Sequence, residues 1–122
     1  MAKTLSKRYS GVLAHPTSFP SPYGIGDFGK GAYDFINFLT GAGQSLWQIL
    51  PLGHTGYGDS PYQSVSTFAG NPYFISLEDL IEEKLLTREE CESCDWGGSE
   101  SYVDYEKMYM SRYKLLRKAY ER

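Results

Sequence analysis

The chain has 122 residues, a formal net charge of -3, and enough apolar and aromatic side chains for one hydrophobic core. That length is about one domain, the mild charge excludes a general nucleic-acid binder, and the composition excludes collagen-like, low-complexity and wholly disordered chains. No run approaches the ~18 apolar residues of a membrane span.

The N-terminal MAKTLSKRYSGVLAHP is positively charged but has no apolar centre, so it does not read as a secretory leader. With no Asn-x-Ser/Thr sequon either, the expected compartment is the cytoplasm. Residues 11–16, GVLAHP, predict a short strand stopped by Pro16. The segment 17–26, TSFPSPYGIG, is a loop by its prolines, glycines and serines. Asp27 is placed to cap a helix whose apolar stripe is Phe28, Ala32, Phe35, Ile36 and Leu39. Gly41 and Gly43 supply its stop, because glycine accepts the left-handed cap conformation.

Residues 45–52, SLWQILPL, are nearly all apolar and end at Pro51 and Gly53. Such a run suits a strand buried on both faces of a parallel sheet. Strand, helix and strand at this spacing predict a β-α-β unit. After a loop at 53–64, the piece FAGNPYFISL is extended or irregular. Ser76 with Asp79, and Thr87 with Glu90, have the spacing of capping boxes and mark two short helices. WGGSES is a break, and from about Val103 an amphipathic helix begins, with Met108, Leu115, Leu116 and Ala119 on its apolar side. Only two parallel strands are expected, and parallel sheets usually have more strands and two covered faces. The layout therefore reads as the opening of a larger α/β protein.

Charge is uneven along the chain. Residues 78–95 are strongly acidic and the stretch from Lys107 is mostly basic; the acidic run is expected to be a solvated helix face. Cys91 and Cys94 have C-x-x-C spacing, but His15 and His54 lie far upstream without ligand spacing, so no zinc site is expected. The pair lies at the end of a helical stretch rather than at a helix start in a β-α-β unit, so two free surface thiols are expected.

The loop GHTGYGDSPYQS, residues 53–64, leaves the second strand at its carboxyl end, where α/β folds place their sites. The loop at 17–26 leaves the first strand at the same end. Both carry tyrosine beside glycine, and tyrosine offers an apolar face for a sugar ring and a hydroxyl for a hydrogen bond. Ser60, Asp59, Gln63 and Asn71 add short polar groups suited to sugar hydroxyls. GIGDFGKG has neither Walker spacing nor a dinucleotide fingerprint, which points to a neutral ligand. The plainer alternative stays open: tyrosine-rich loops also simply pack over a sheet end, and Asp59 can cap its own turn. Retaining glycoside chemistry needs two carboxylates about 5–5.5 Å apart. The loops offer Asp27, better explained as a cap, and Asp59, without an evident partner. His15 reads as a packed strand-end residue.

The runs HPTS, GQSLWQ, LPLG and GYGDSPYQS…FAGNP, in that order, resemble the N-terminal part of the 4-α-glucanotransferases known as amylomaltases or disproportionating enzymes, glycoside hydrolase family 77. The likeness runs from Tyr9 to Leu86 and more loosely to the end; Phe19 and His54 are small departures. It implies a TIM-type (β/α)8 barrel several times this length, with residues 1–86 as its opening segment and 87–122 as helices of an inserted subdomain. It also implies cofactor-free, retaining transfer of α-1,4-glucan segments between maltooligosaccharides. The family's catalytic carboxylates lie on later strands, so no catalytic residue maps onto this chain. Tyr62 resembles the tyrosine bordering the sugar ring at the cleavage point, Ser60 a neighbouring polar contact, and Tyr57 an aromatic near bound glucan. Asp59, Gln63 and Asn71 match further family positions. The competing expectations are a non-catalytic maltooligosaccharide-binding module and an interaction protein using the acidic helices. No nucleic-acid, membrane, metal or cofactor partner is expected, and the oligomeric state is open.

Overall fold

The computed structural model describes residues 7–122; the charged segment 1–6, part of the region read as lacking a leader, lies outside the described residues. Two short strands, β1 (Gly11–Leu13) and β2 (Leu46–Gln48), pair in parallel with Val12 opposite Trp47. The helix α1 (Lys30–Gly41) makes the crossover between them, so the expected β-α-β unit is present. Both strands are shorter than their apolar runs. Beyond Leu13 the ladder continues through Ala14, which donates to the Gln48 carbonyl at 3.0 Å. There it gives way to a side chain, because His15 Nδ1 accepts the Leu50 amide at 3.3 Å and Pro16 and Pro51 lack an N–H.

The expectation that β2 is buried on both faces is corrected. Leu13 is 56% exposed and Leu46 is 55% exposed, because one crossover helix covers one face and no other described element packs on the second. On the covered face, Trp47 meets Phe35 of α1 at 5.4 Å and Phe19 of the first loop at 5.6 Å. Its indole donates to the Ala14 carbonyl at 2.7 Å. Of the predicted α1 stripe, Ala32 and Leu39 are buried, Phe35 is half-buried, and Phe28 and Ile36 are exposed. Gly43, at φ +70°, terminates α1 as expected.

Asp27 does not cap α1; Gly29 holds that position without a side-chain cap. The Asp27 carboxylate instead accepts the Gly29 amide at 2.9 Å and the Arg112 guanidinium at 3.2 Å. Arg112 lies on α4 (Tyr105–Glu121) and is fully buried. It also donates to the carbonyl of Tyr23 at 3.4 Å and to that of Ile75. One Asp27 oxygen thus accepts Arg112 and the other accepts the Gly29 amide, and the helix starts later, at Lys30.

The core surrounds α4 rather than the sheet. One cluster joins Tyr23, Leu77, Leu86, Cys91, Leu115 and Ala119, and a smaller one joins Ile25, Tyr73 and Met108. Each fully buried aliphatic side chain contributes roughly 1.5–3 kcal/mol over its exposed state. The short helices α2 (Leu77–Glu82) and α3 (Arg88–Glu92) feed this core. Thr87 and Glu90 form the complete capping box, whereas Ser76 accepts the Asp79 amide in one direction only. The helix α4 begins two residues later than its apolar pattern predicts, where Asp104 accepts the Lys107 amide. Cys91 corrects the expectation of two surface thiols: both cysteines are free, but Cys91 is buried among leucines and burial pushes its thiol up to about 11.

The acidic run is likewise more than a solvated face. Glu78 accepts Arg88 at 2.8 Å and the Tyr23 hydroxyl at 3.0 Å. Glu90 accepts Arg122 at 2.7 Å and Lys118, and Asp95 accepts Lys107 at 2.9 Å. Glu78–Arg88 thus ties α2 to α3, and Glu90 ties α3 to the end of α4.

Two outcomes follow. Arg112→Ala is expected to lower unfolding free energy by about 3–5 kcal/mol in urea titration, since it leaves Asp27 largely buried without its cation; Arg112→Met combined with Asp27→Asn recovers part of that loss. The second concerns pH. Arg122, Lys118 and the Thr87 amide hold the Glu90 carboxyl at about 2, below its ordinary 4.5. A depressed carboxyl adds stability above its unfolded value and loses it as pH falls. The melting temperature therefore drops between pH 4.5 and 2, and Glu90→Gln flattens that drop.

Candidate functional site

The loop at 53–64 is closed at its base and open at its tip. Thr55 and Ser64 form an antiparallel bridge across the base. Gly53 sits so close to the returning strand that a Cβ there would lie 2.3 Å from Ser64 Oγ. The turn is tightened by the Asp59 amide donating to the Gly56 carbonyl at 3.1 Å. Gly58 (φ +88°) and Asp59 (φ +54°) are both left-handed, and aspartate is among the few side chains that tolerate that region.

Two contacts tie the base to the rest of the chain. Asn71 Nδ2 donates to the Gly53 carbonyl at 3.3 Å, while Asn71 Oδ1 accepts the Tyr73 amide at 3.0 Å. His54 Nε2 lies 2.8 Å from the Tyr113 hydroxyl on α4 and its ring packs on Tyr73. The loop is thereby mounted on the helical core.

The six residues singled out from the sequence divide into two groups. Asp59 and Asn71 line a cavity of about 140 Å³ beneath the loop. Tyr57, Tyr62, Ser60 and Gln63 do not line it: Tyr57 is fully exposed, Tyr62 is 72% exposed, and Gln63 is exposed at the rim. Ser60 is half-buried, with its Oγ accepting the Tyr62 amide at 3.3 Å. The tip thus offers two tyrosine faces to solvent, above a polar pocket.

Among the lining residues that the sequence reading did not single out for the site are His15, Thr55, Tyr73 and Tyr105. His15 is the strand-end residue expected, edge-on to Phe74 at 5.7 Å, and burial lowers its imidazole. The Thr55 hydroxyl is buried with no protein partner. Burial pushes the Tyr73 hydroxyl up to about 12, with Tyr113 and Asp59 adding to the effect. Burial and the Asp59 charge raise Tyr105. Both phenols therefore stay protonated and act as neutral hydrogen-bond groups. Tyr105 reaches the cavity from α4, forty-odd positions after the loop, and no local spacing signals that meeting.

This arrangement suits binding of a neutral hydroxyl-rich ligand. It does not suit proton transfer between paired carboxylates, because Asp27 is engaged by Arg112 and Gly29 and does not line the cavity that holds Asp59. Burial raises the Asp27 carboxyl while Gly29 and Arg112 pull it down. Among the described residues no cluster of three metal-ligating side chains occurs, and no helix is long and apolar enough to cross a membrane.

Comparison with known proteins identifies relatives over most of the chain. The 4-alpha-glucanotransferase family model matches residues 14–122. The 4-alpha-glucanotransferase of Streptococcus pneumoniae serotype 4 is 55% identical over 118 residues, which are 97% of this chain and 23% of that protein. The Thermus thermophilus 4-alpha-glucanotransferase is 50% identical over 113 residues, 93% of this chain and 22% of that protein. An amylomaltase from Streptococcus agalactiae, solved in complex with acarbose, superposes with a TM-score of 0.90 at 43% identity, covering 94% of this chain and 23% of its own. The chain spans about a quarter of the length of these relatives.

Asn71→Ala should cost about 1–2 kcal/mol, the scale of a lost cap plus a lost hydrogen bond. Hydrogen exchange should quicken in 53–64 while amides of α4 stay protected; equal quickening in both would contradict the role of Asn71 as the clamp on the loop base.

Proposed function

The chain belongs to the 4-alpha-glucanotransferase family, and from that premise we propose that it forms one wall of the glucan site of an enzyme transferring α-1,4-glucan segments between maltooligosaccharides. In this reading Tyr62 and Tyr57 lay their rings against sugar faces. Ser60, Asp59, Gln63 and Asn71 supply hydrogen bonds to sugar hydroxyls. Residues 1–86 form the opening of a (β/α)8 barrel and 87–122 belong to a helical insertion. The reaction retains anomeric configuration, needs no cofactor and takes place in the cytoplasm.

One observation carries the proposal: two solvent-facing tyrosines stand on a loop anchored by Asn71 and His54 over a pocket whose polar side chains are hydroxyls, an amide, an imidazole and one carboxylate. Aromatic faces bind the apolar face of a sugar, and the neutral polar groups bind its hydroxyls. The exposed edges and faces of β1 and β2 support the barrel reading, since parallel strands are ordinarily covered on both sides. The acarbose complex of the Streptococcus agalactiae amylomaltase supports the choice of a glucan-like ligand.

The chemistry sets the limit of this segment. A retaining transfer needs a nucleophile and an acid/base about 5–5.5 Å apart, and Asp27 and Asp59 do not converge on one cavity. A polypeptide of these 122 residues incubated with maltotriose is therefore expected to yield neither glucose nor longer oligomers by chromatography. The Streptococcus pneumoniae relative serves as the positive control. Disproportionation by the 122-residue chain would overturn the placement of the catalytic carboxylates outside it.

A further inference from the structure

The C-x-x-C motif, Cys91 and Cys94, takes no part in the proposed function. The fold brings one of its two thiols to the wall of a groove of about 780 Å³. That groove lies between the first loop, 17–26, and the connection from α3 to α4, 94–105. Cys94 lines it, whereas Cys91 does not and is wholly withdrawn from water.

The two cysteines nonetheless belong to one packing unit. Cys94 packs against the core cluster that contains Cys91. Its thiol turns back on α3 and donates to the Glu90 carbonyl at 3.5 Å. The Cys94 amide donates to the Cys91 carbonyl at 3.3 Å, which closes the turn at the end of α3. A turn closed in this way holds Cα atoms three residues apart within ~7 Å, and a disulfide spans about 4.4–6.8 Å between Cα atoms. The intervening Glu92 and Ser93 are exposed, so the adjustment that joins the sulfurs moves no buried side chain between them.

Surroundings set the role of each sulfur. Burial, with the charge of Cys94 adding to it, pushes the Cys91 thiol up to about 11, which makes it a poor first attacker. Cys94 is the thiol that a reagent in the groove can reach. Asp95 and Glu100 are the charged side chains lining that groove, and no lysine, arginine or histidine lines it. Asp95 is paired with Lys107. An anionic reagent therefore meets Glu100 without a lining cation, and a neutral or cationic one escapes that repulsion.

We propose that Cys91 and Cys94 form a reversible intramolecular disulfide by exchange with a small disulfide that carries no net negative charge, Cys94 being the entry thiol and Cys91 the resolving one. The Cys94 thiolate attacks one sulfur of the reagent and forms a mixed disulfide. The first reagent thiolate leaves and takes up the proton that Cys94 gave to water. Cys91 then loses its proton and attacks the Cys94 sulfur, and the second reagent thiol leaves carrying that proton. Two protein thiols are oxidised, and one reagent disulfide is reduced to two thiols. The Cys91 carbonyl also accepts the Trp96 indole at 2.8 Å, so the staple fixes the turn from which Trp96 hangs. None of this depends on the glucan reading.

The folded 122-residue chain, reduced and freed of reductant, is treated with cystamine, and its intact mass is followed with and without thiol alkylation. The expected product has lost two hydrogen masses, resists alkylation, keeps no reagent half and reverts with dithiothreitol. Cys91→Ala is expected to hold the mixed disulfide on Cys94, and Cys94→Ala to stay unmodified over the same time. Cystamine should react about tenfold faster than glutathione disulfide at low salt, with added salt or Glu100→Gln narrowing the gap. A stable adduct on wild-type Cys94, a disulfide-linked dimer, or reaction only after unfolding in urea would each overturn the pair. Modification of Cys94→Ala at the wild-type rate would overturn entry through Cys94. Equal rates for the two reagents, or a gap that neither salt nor Glu100→Gln changes, would overturn the selection by charge.

Discussion

Arg112 donates from the middle of α4 to the Asp27 carboxylate and to the carbonyls of Tyr23 and Ile75, with its side chain wholly withdrawn from water. Those partners belong to two stretches far apart in the chain, the first loop running into α1 and the turn leading into α2, and α4 joins them as a third. Withdrawing a guanidinium from water costs several kcal/mol unless its donors are matched. Here all but Nε are met. The constraint is therefore geometric. Any arrangement that shifts one of the three stretches strands a buried charge, so the loop at 17–26, the segment at 71–76 and α4 are held in one relation. Asp27 accepts this contact rather than capping α1, which begins at Lys30.

From that node the charge pattern and the core follow. The acidic helices α2 and α3 lie against the basic α4, and Glu90 closes a capping box while accepting Arg122 and Lys118. Exposed pairs of this kind are individually weak. The face of α4 toward Leu77, Leu86 and Cys91 carries the apolar Leu115 and Ala119. The sheet takes little part in this packing. Among the described residues there is thus a helical body with its own core and a two-stranded ledge whose Leu13 and Leu46 side chains remain in solvent. The tyrosine loop springs from the ledge but is fastened to the body by Asn71 and by His54 against Tyr113. A loop supported in that way keeps its position without a second sheet layer beneath it.

Local chemistry was legible in the sequence wherever a few neighbouring residues decide the outcome. The β-α-β order, the Gly43 stop, the Thr87–Glu90 box and the loop at 53–64 are of this kind, because each depends on backbone preferences or on contacts within four residues. What could not be read were pairings across the chain. Arg112 looks like any basic residue on a solvated helix face, and only the distant Asp27 makes it a buried anchor. Cys91 has the spacing of a redox pair, yet its surroundings are leucines contributed by α2 and α4. Tyr105 joins the cavity through the docking of α4. The apolar run at 45–52 misleads in the opposite sense: its composition records a covering that these described residues do not supply. Of the six loop positions, Asp59 and Asn71 converge on one cavity, and the tyrosines stand outside it.

The electrostatics of the site explain why binding and bond cleavage are separable here. Tyr73 and Tyr105 are held protonated by burial and by Asp59, so they present neutral hydroxyls across the pH range of a living cell. The carboxylate of Asp59 faces them without a second acid, and the other loop aspartate is engaged by Arg112. On the proposed reading, the hydroxyls and amide of this surface hold a glucan much as water does, and its lone carboxylate supplies only one of the two acids that retaining cleavage needs. Interactions that are equal in both states lower KM without accelerating the chemistry. On the proposed reading, the loop and its pocket orient a glucan, and the rate enhancement comes from charges placed where the glycosidic bond breaks. On that reading the holding surface rests on Arg112 and α4, the same contacts that fix the fold of the described residues.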